Sequence, residues 1–252
     1  MTTDYESHEF DVIIVGAGGA GLRAAVEAQA TGLRTAVVCK SLLGKAHTVM
    51  AEGGMAAAMG NVYSEDNWKV HFRDTMRGGK LLNNWRMAQL HAQEAPDRVR
   101  ELEAWGALFD RTPEGLILQR DFGGHRYARL AHVGDRTGLE LIRTMQQKAV
   151  ADGMEVFMEL KVLRLLHDAQ GNVSGIVGYW RPTGEFVVIK AKAVVLATGG
   201  VGKSWMYTSN SWESTGDGHA MALWAGPTSS TWSASSSTRP AWSGPCRCAA
   251  SW

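Results

Sequence analysis

The chain has 252 residues, of which 45% are hydrophobic and 20% charged, with a formal net charge of +1. That length holds one large domain or two small ones around a sizeable core, and the near-neutral balance gives no footprint for nucleic acid or an anionic surface as a partner. No apolar run reaches the roughly 18 residues needed to span a bilayer, and the polar start MTTDYESHEF lacks the order of a secretory signal. The three cysteines have no zinc-like spacing, so neither disulfides nor a metal site is expected, and the expected location is cytoplasmic.

Residues 10–15 are a short β-rich apolar run, and Gly16, Gly18 and Gly21 follow at G-x-G-x-x-G spacing before an Ala-rich helical stretch, with Ala17, Gly19 and Ala20 completing the turn. In that strand–turn–helix context the first glycine allows a tight turn and the second a close backbone approach to a pyrophosphate. The third allows close helix packing, and the anion sits at the helix N-terminus. A dinucleotide is therefore the expected guest. The fingerprint also wants an acidic residue roughly 20 positions on, to hold the ribose hydroxyls. The second strand, residues 35–38, ends instead in Cys39-Lys40-Ser41. This counts against an ordinary NAD site and leaves Lys40 and Ser41 to hold a ribose.

Residues 45–60, KAHTVMAEGGMAAAMG, are small apart from one conspicuous side chain, His47. The order GAGGAGL then HTVMAEGG resembles the flavoprotein subunit of succinate dehydrogenase and fumarate reductase, in which the histidine of this motif carries FAD covalently. The resemblance implies FAD linked through His47, with Thr48, Glu52, Gly53 and Gly54 also on the cofactor. Glu52 stands where fumarate reductases tend to have Glu and succinate dehydrogenases Gln, and the direction of reaction is not read from that one residue. Related flavoproteins such as L-aspartate oxidase lack a histidine at this place. The alternatives are such an FAD oxidoreductase, or a non-catalytic nucleotide-binding or interaction module.

Helical apolar spacing runs through residues 67–109, with Trp68, Val70, Phe72 and Met76 and then Val99, Leu102, Trp105 and Leu108 as expected core faces, and Pro96 near a helix start. Residues 121–138, DFGGHRYARLAHVGDRTG, form a glycine-punctuated loop rich in Arg and His. In the resembled family this stretch approaches the flavin and the dicarboxylate pocket, so Phe122, Gly124 and His125 are candidates to line that pocket. A helix over 139–150 and a strand over 155–160 follow, then a β-meander over 162–190 punctuated by turn signals. KAVVLATGG, residues 192–200, predicts a further buried strand ending in small residues, and Thr198, Gly199 and Gly200 resemble the family's second flavin-side motif. In STGDG, residues 214–218, Asp217 stands at a helix start where a carboxylate can accept hydrogen bonds from sugar hydroxyls.

The resemblance covers residues 10–226 and implies an α/β fold: a Rossmann-like FAD-binding domain with a parallel sheet plus the β-meander, incomplete relative to the family. It implies interconversion of succinate and fumarate by hydride transfer with the flavin. It also implies partners: an iron–sulfur subunit, a membrane anchor subunit and, through them, a quinone, with the protein peripheral on the inner face of the cell membrane. Residues 227–252 use only eight residue types, without Leu, Ile, Val, Phe or a carboxylate, and can build neither a core nor a periodic element. Read one base back, residues 238–242 can decode as His-Pro-Thr-Gly-Met, matching the family's QFHPTG motif. The expectation is therefore an FAD-binding domain over 1–226 followed by an out-of-frame, disordered tail. No catalytic residue is expected in frame.

Overall fold

The computed structural model describes residues 5–226, so the readings of the tail lie outside the described residues. Within that span the chain forms two compact units, one made of the residues up to His47 and those from Met145 onward, the other of Thr48–Thr144.

The first unit is built on a six-stranded sheet of order β6-β2-β1-β9-β8-β7. Its parallel half comprises β1 (Glu6–Val15), β2 (Thr35–Cys39), β6 (Glu155–Met158) and β9 (Phe186–Leu196). The antiparallel half adds β7 (Leu160–His167) and β8 (Val173–Trp180), the expected meander. Helix α1 (Gly19–Ala30) is the first crossover, and its Leu22, Ala25 and Val26 are buried. Because strand side chains alternate between faces, Ile13 and Val15 join Ala36, Val38, Phe157, Ile176 and Ile189 in one core layer, while Ile14 and Val37 fill the opposite face. Each such fully buried aliphatic side chain contributes about 1.5–3 kcal/mol.

Two strand expectations need correction. The stretch 155–160 is not one strand: Glu159 takes a left-handed φ of 61°, ending β6 and starting β7, and it is fixed there by its N–H to the Ser41 carbonyl and its carbonyl to the Arg181 N–H. Conversely, the last meander strand and the 192–200 strand are one continuous element, β9, which pairs with β1 on one edge and β8 on the other. Its end is not buried as expected, Val195 being 37% exposed.

The second unit holds α2 (Trp68–Gly78), α3 (Trp85–Ala104) and a small antiparallel sheet of β3 (Met55–Ala56), β5 (Leu130–Ala131) and β4 (Gln119–Arg120). Asn67 and Asn84 cap the two helices, each side chain accepting two backbone N–H bonds that the first turn leaves orphaned. Pro96 lies well inside α3 and not near its start, because the Asn84 cap opens the helix a full three turns earlier. The buried stripe of α3 is Ala88, Ala92, Ala95, Val99 and Leu102, whereas Leu108 beyond it is 73% exposed. The expected apolar face of α2 is only half-buried, and its two buried residues are His71 and Asp74. The last described helices are α4 (Thr137–Ala151), whose residues divide between the units, and α5 (Asp217–Trp224) in the first unit.

Candidate functional site

Three turns converge at the carboxyl ends of the parallel strands in the first unit, the end at which open α/β sheets bind their ligands. The first is the glycine turn from β1 into α1. Gly16 sits at φ 117°, and a Cβ there would lie 2.2 Å from the Ala197 carbonyl oxygen. A Cβ on Gly21 would lie 1.8 Å from the Gly16 carbonyl. No side chain caps α1 at Gly18, and neither an acidic nor a basic side chain stands in its first and last turns respectively. Ala17 is buried, and Gly19 and Ala20 open the helix.

The second turn is Ala197–Gly200, joined to the first by a 2.8 Å bond from the Ala197 N–H to the Val15 carbonyl. Gly199 is left-handed at φ 74° with open space where a side chain would stand. The third, residues 215–218, bonds back through the Gly216 N–H to the Gly200 carbonyl at 3.3 Å. A Cβ on Gly218 would lie 1.9 Å from Thr198 Oγ1, so these two turns interlock only because that residue is glycine.

Lys40, at the end of β2, reaches into the same place. Its Nζ donates to Thr215 Oγ1 at 2.6 Å and to Asp217 Oδ2 at 2.9 Å, and Lys161 Nζ lies 2.5 Å from the same oxygen. Glu213 stands 3.9 Å from Lys40. Burial alone would raise the Asp217 carboxyl, but hydrogen bonds from Lys161, Thr215 and Lys40 outweigh it and hold the pKa down at about 2. A carboxylate thus reaches the end of the second strand from 177 residues away. Thr215, Lys161 and Glu213 escaped the sequence reading, since no local spacing marks partners so distant. Ser41 contributes its backbone carbonyl, which accepts from the Glu159 N–H and the Cys39 thiol.

His47 begins a short 3₁₀ turn, His47–Met50. The Ser211 N–H donates to its Nδ1 at 3.3 Å, leaving Nε2 uncommitted to that bond. The ring is exposed, yet the protein around it desolvates it enough to lower its pKa, so the imidazole is neutral near pH 7.

In the second unit the remaining candidates assemble around the Glu52–Gly54 backbone. A Cβ on Gly53 would make ordinary contacts of 3.6 Å with Leu130 and the Phe122 ring, and Gly54, at φ 120°, packs against the Ala131 carbonyl. Arg120 braces this stretch, its guanidinium donating to the carbonyls of Gly53, at 2.8 Å, and Glu52 while also pairing with Asp135. The Gly138 N–H donates to the Ala51 carbonyl at 2.7 Å, and a Cβ on Gly138 would collide with the Thr48 carbonyl, so the DRTG glycine locks the HTVMAEGG segment.

Gly124 is left-handed at φ 100°, and His125 folds onto a polar core missed by the sequence reading. There Arg129, wholly buried, bonds Asp66 and Asp74 at 2.9 Å each, and the Arg126 N–H adds a bond to Asp74. The rings of His91 and His125 stand 5.3 Å and 6.1 Å from His71. Apolar periodicity cannot find such a core, because it is made of charged residues.

A hollow of about 540 Å³ lined by His8, Arg34 and Glu155 lies at the opposite, amino ends of the strands and shares no residue with these turns.

Residues 11–231 match the FAD binding domain family. The sequence is 44% identical over 222 residues to a fumarate reductase (CoM/CoB) subunit of Methanothermobacter marburgensis, covering 88% of this chain and 40% of that protein. It is 41% identical over 227 residues to the succinate dehydrogenase flavoprotein subunit of Coxiella burnetii, covering 86% and 38%. Among solved structures, Mycobacterium smegmatis Sdh1 in complex with UQ1 superposes with a TM-score of 0.85 at 64% identity, covering 87% of this chain and 39% of that one. The chain therefore spans about 40% of the length of the relatives it matches.

Proposed function

The chain belongs to the FAD-binding flavoprotein family of succinate dehydrogenase and fumarate reductase, and on that premise we propose that it is the cofactor-holding part of a subunit interconverting succinate and fumarate. The observation that carries the reading is the convergence of Gly16–Gly21, Thr198–Gly200 and Asp217 at the carboxyl ends of β1, β2 and β9. The N-terminus of α1, without a side-chain cap, offers its N–H groups and dipole to the pyrophosphate. Lys40, held by Asp217, and Ser41 face the adenosine ribose. Thr48, Glu52, Gly53 and Gly54 take the flavin side, with Phe122, Gly124 and His125 toward the substrate.

FAD held by these turns would supply the hydride chemistry with the dicarboxylate, while the protein's own residues would supply position and electrostatics. His47 is the point of covalent attachment: its lowered pKa keeps the ring neutral, and the Ser211 bond orients it. Orientation of the dicarboxylate and delivery of its proton fall to groups that the family carries after its TGDG motif, in the part of the relatives' length that this chain does not match. Electrons leave to an iron–sulfur subunit, then by way of a membrane anchor subunit to a quinone. The protein sits at the membrane through those partners; among the described residues no helix is long and apolar enough to cross it.

The test is to express the protein with FAD, precipitate it in acid and look for yellow fluorescence in a denaturing gel. Retention by the wild type and release by His47→Ala support the linkage. Flavin that washes out of the wild type refutes the linkage, and absence of saturable FAD binding refutes the reading as a whole.

A further inference from the structure

We propose that Arg120 is a positioning residue that raises the redox potential of the flavin, acting through two peptide units of the Glu52–Gly54 segment. The inference rests on the reading above, in which Gly53 and Gly54 take the flavin side. Every residue it uses belongs to the second unit.

Arg120 ends β4, and because β5 lies between β4 and β3, its side chain reaches across the small sheet to the segment that leads into β3. There the guanidinium directs two donors at the backbone. Nε donates to the Gly53 carbonyl at 2.8 Å, and Nη2 donates to the Glu52 carbonyl. These carbonyls are consecutive, and they belong to the peptide units 52–53 and 53–54. In a planar trans peptide the N–H points opposite to the C=O, so the N–H groups of Gly53 and Gly54 face away from Arg120. Among the described residues no hydrogen bond takes up either N–H. Gly54 holds this arrangement at a φ of 120°, where a Cβ would lie 2.8 Å from the Ala131 carbonyl oxygen.

A charged donor on a carbonyl draws electron density along the peptide bond, and linked hydrogen bonds polarise one another. The N–H groups of Gly53 and Gly54 are therefore stronger donors than ordinary backbone amides. Hydride uptake brings FAD two electrons and one proton, which adds one negative charge to its ring system. Fixed donors strengthened by Arg120 favour that charged form over the oxidised one, and the potential rises. The cation keeps its influence although Asp135 stands 3.0 Å from it, because the Asp135 side chain is 84% exposed and screened by solvent. Its reach shows at a second group. Burial first, and then Arg120, hold the His132 ring below its ordinary pKa against the opposing pull of Asp110 and Asp135.

The experiment is a reductive titration of the FAD-loaded protein against a redox dye of known potential, comparing wild type with Arg120→Gln, Arg120→Lys and Asp135→Asn. Arg120→Gln keeps a donor for one carbonyl and removes the charge. It should move the oxidised-to-reduced ratio at least tenfold toward oxidised, a fall in midpoint of about 30 mV for a two-electron couple. Arg120→Lys keeps the charge and should fall by less than half as much. Asp135→Asn removes the carboxylate that opposes Arg120, so its midpoint should rise, and added salt should shrink the rise. That exposed substitution decides the matter if Arg120→Gln fails to hold FAD, and a midpoint there that stays put or falls overturns the proposal. Equal falls in Arg120→Gln and Arg120→Lys make Arg120 a brace alone and overturn the tuning role. Midpoints unchanged in every variant overturn it too, while leaving the proposed function standing. A wild type that binds no FAD overturns both.

Discussion

Lys40 Nζ and Asp217 Oδ2 lie 2.9 Å apart, joining the end of the second strand to the start of α5. The pair does two things at once: it pins the third turn against the parallel sheet, and it aims the lysine at the place where a ribose is expected. Asp217→Asn would leave the ammonium groups of Lys40 and Lys161 facing each other without their shared carboxylate. It should cost roughly 1–3 kcal/mol, the scale of hydrogen bonds to charged groups, read as a lower denaturation midpoint, and should weaken FAD binding. Because the folded carboxyl is held at about 2, below its ordinary 3.8, this stability is present above pH 4 and is lost as pH falls toward 2. An unchanged acid limb in Asp217→Asn would show that the pair carries no stability.

Glycine substitutions should separate packing from ligand approach. At Gly21 a methyl would lie 1.8 Å from the Gly16 carbonyl, so Gly21→Ala should unseat α1 and abolish both FAD binding and cooperative unfolding of the first unit. At Gly199 nothing stands within 4 Å, and only the left-handed φ of 74° penalises a side chain, by about 1–3 kcal/mol. Gly199→Asn, which tolerates that conformation, should keep the fold and lose FAD affinity if the flavin passes there. Calorimetry and FAD titration on the two variants check this, and equal losses in both would remove the distinction.

The parallel half of the fold and the glycine turn from β1 into α1 were legible because they rest on local signals: a β-rich run, three glycines at fixed spacing and an Ala-rich helical stretch. The match of residues 11–231 to the FAD binding domain family agrees with that reading of the fold. Less legible was anything assembled over distance. In the sequence Lys40 stands alone as a ribose candidate, and nothing local shows that Asp217, Thr215 and Lys161 are brought beside it. The α2 spacing around Trp68 and Phe72 reads as a core face, yet the residues it buries are His71 and Asp74, because the fold inserts Arg129 from the 121–138 loop between Asp66 and Asp74. Glu159 carries no turn signal, and the split at that position comes from hydrogen bonds with Ser41 and Arg181.

Arg129 should be among the most sensitive positions in the second unit. Its side chain is 0% exposed and its two acidic partners are 1% and 4% exposed, so Arg129→Leu strands two carboxylates in the interior. Breaking a buried pair in this way costs about 3–5 kcal/mol, of the order of half the stability of a typical domain. The expected result is loss of protease resistance across Thr48–Thr144. Adding Asp66→Asn and Asp74→Asn to Arg129→Leu should recover part of it, since neutral amides need no counter-charge. Failure of that triple variant to exceed the single one would show that packing, not charge, sets the cost.

The histidines around this pair make the second unit sensitive to acid. Burial first, then the Arg129 guanidinium and the rings of His91 and His125, push His71 down to about 3 from an ordinary 6.5. His125 is lowered as well, by burial and then Arg129, against the opposing pull of Asp74 and Asp121. A histidine depressed on folding binds its proton more readily in the unfolded chain. Stability is therefore complete above pH 6.5 and declines as pH falls toward 3. Asp66 works the other way: burial raises its carboxyl despite Arg129, so acidification relieves it, but only near the carboxylate range. The histidines consequently govern the interval between about 6 and 4. Each tenfold difference in proton affinity between the folded and unfolded chain is worth about 1.4 kcal/mol, so the wild type should lose a few kcal/mol across that interval. Urea midpoints measured from pH 7 to pH 4 should fall steeply in the wild type and much less in His71→Asn, which keeps a polar side chain in the same space without a titrating ring. Parallel slopes in the two proteins would place the acid sensitivity elsewhere, and a steeper slope in His71→Asn would reverse the sign assigned to the buried ring.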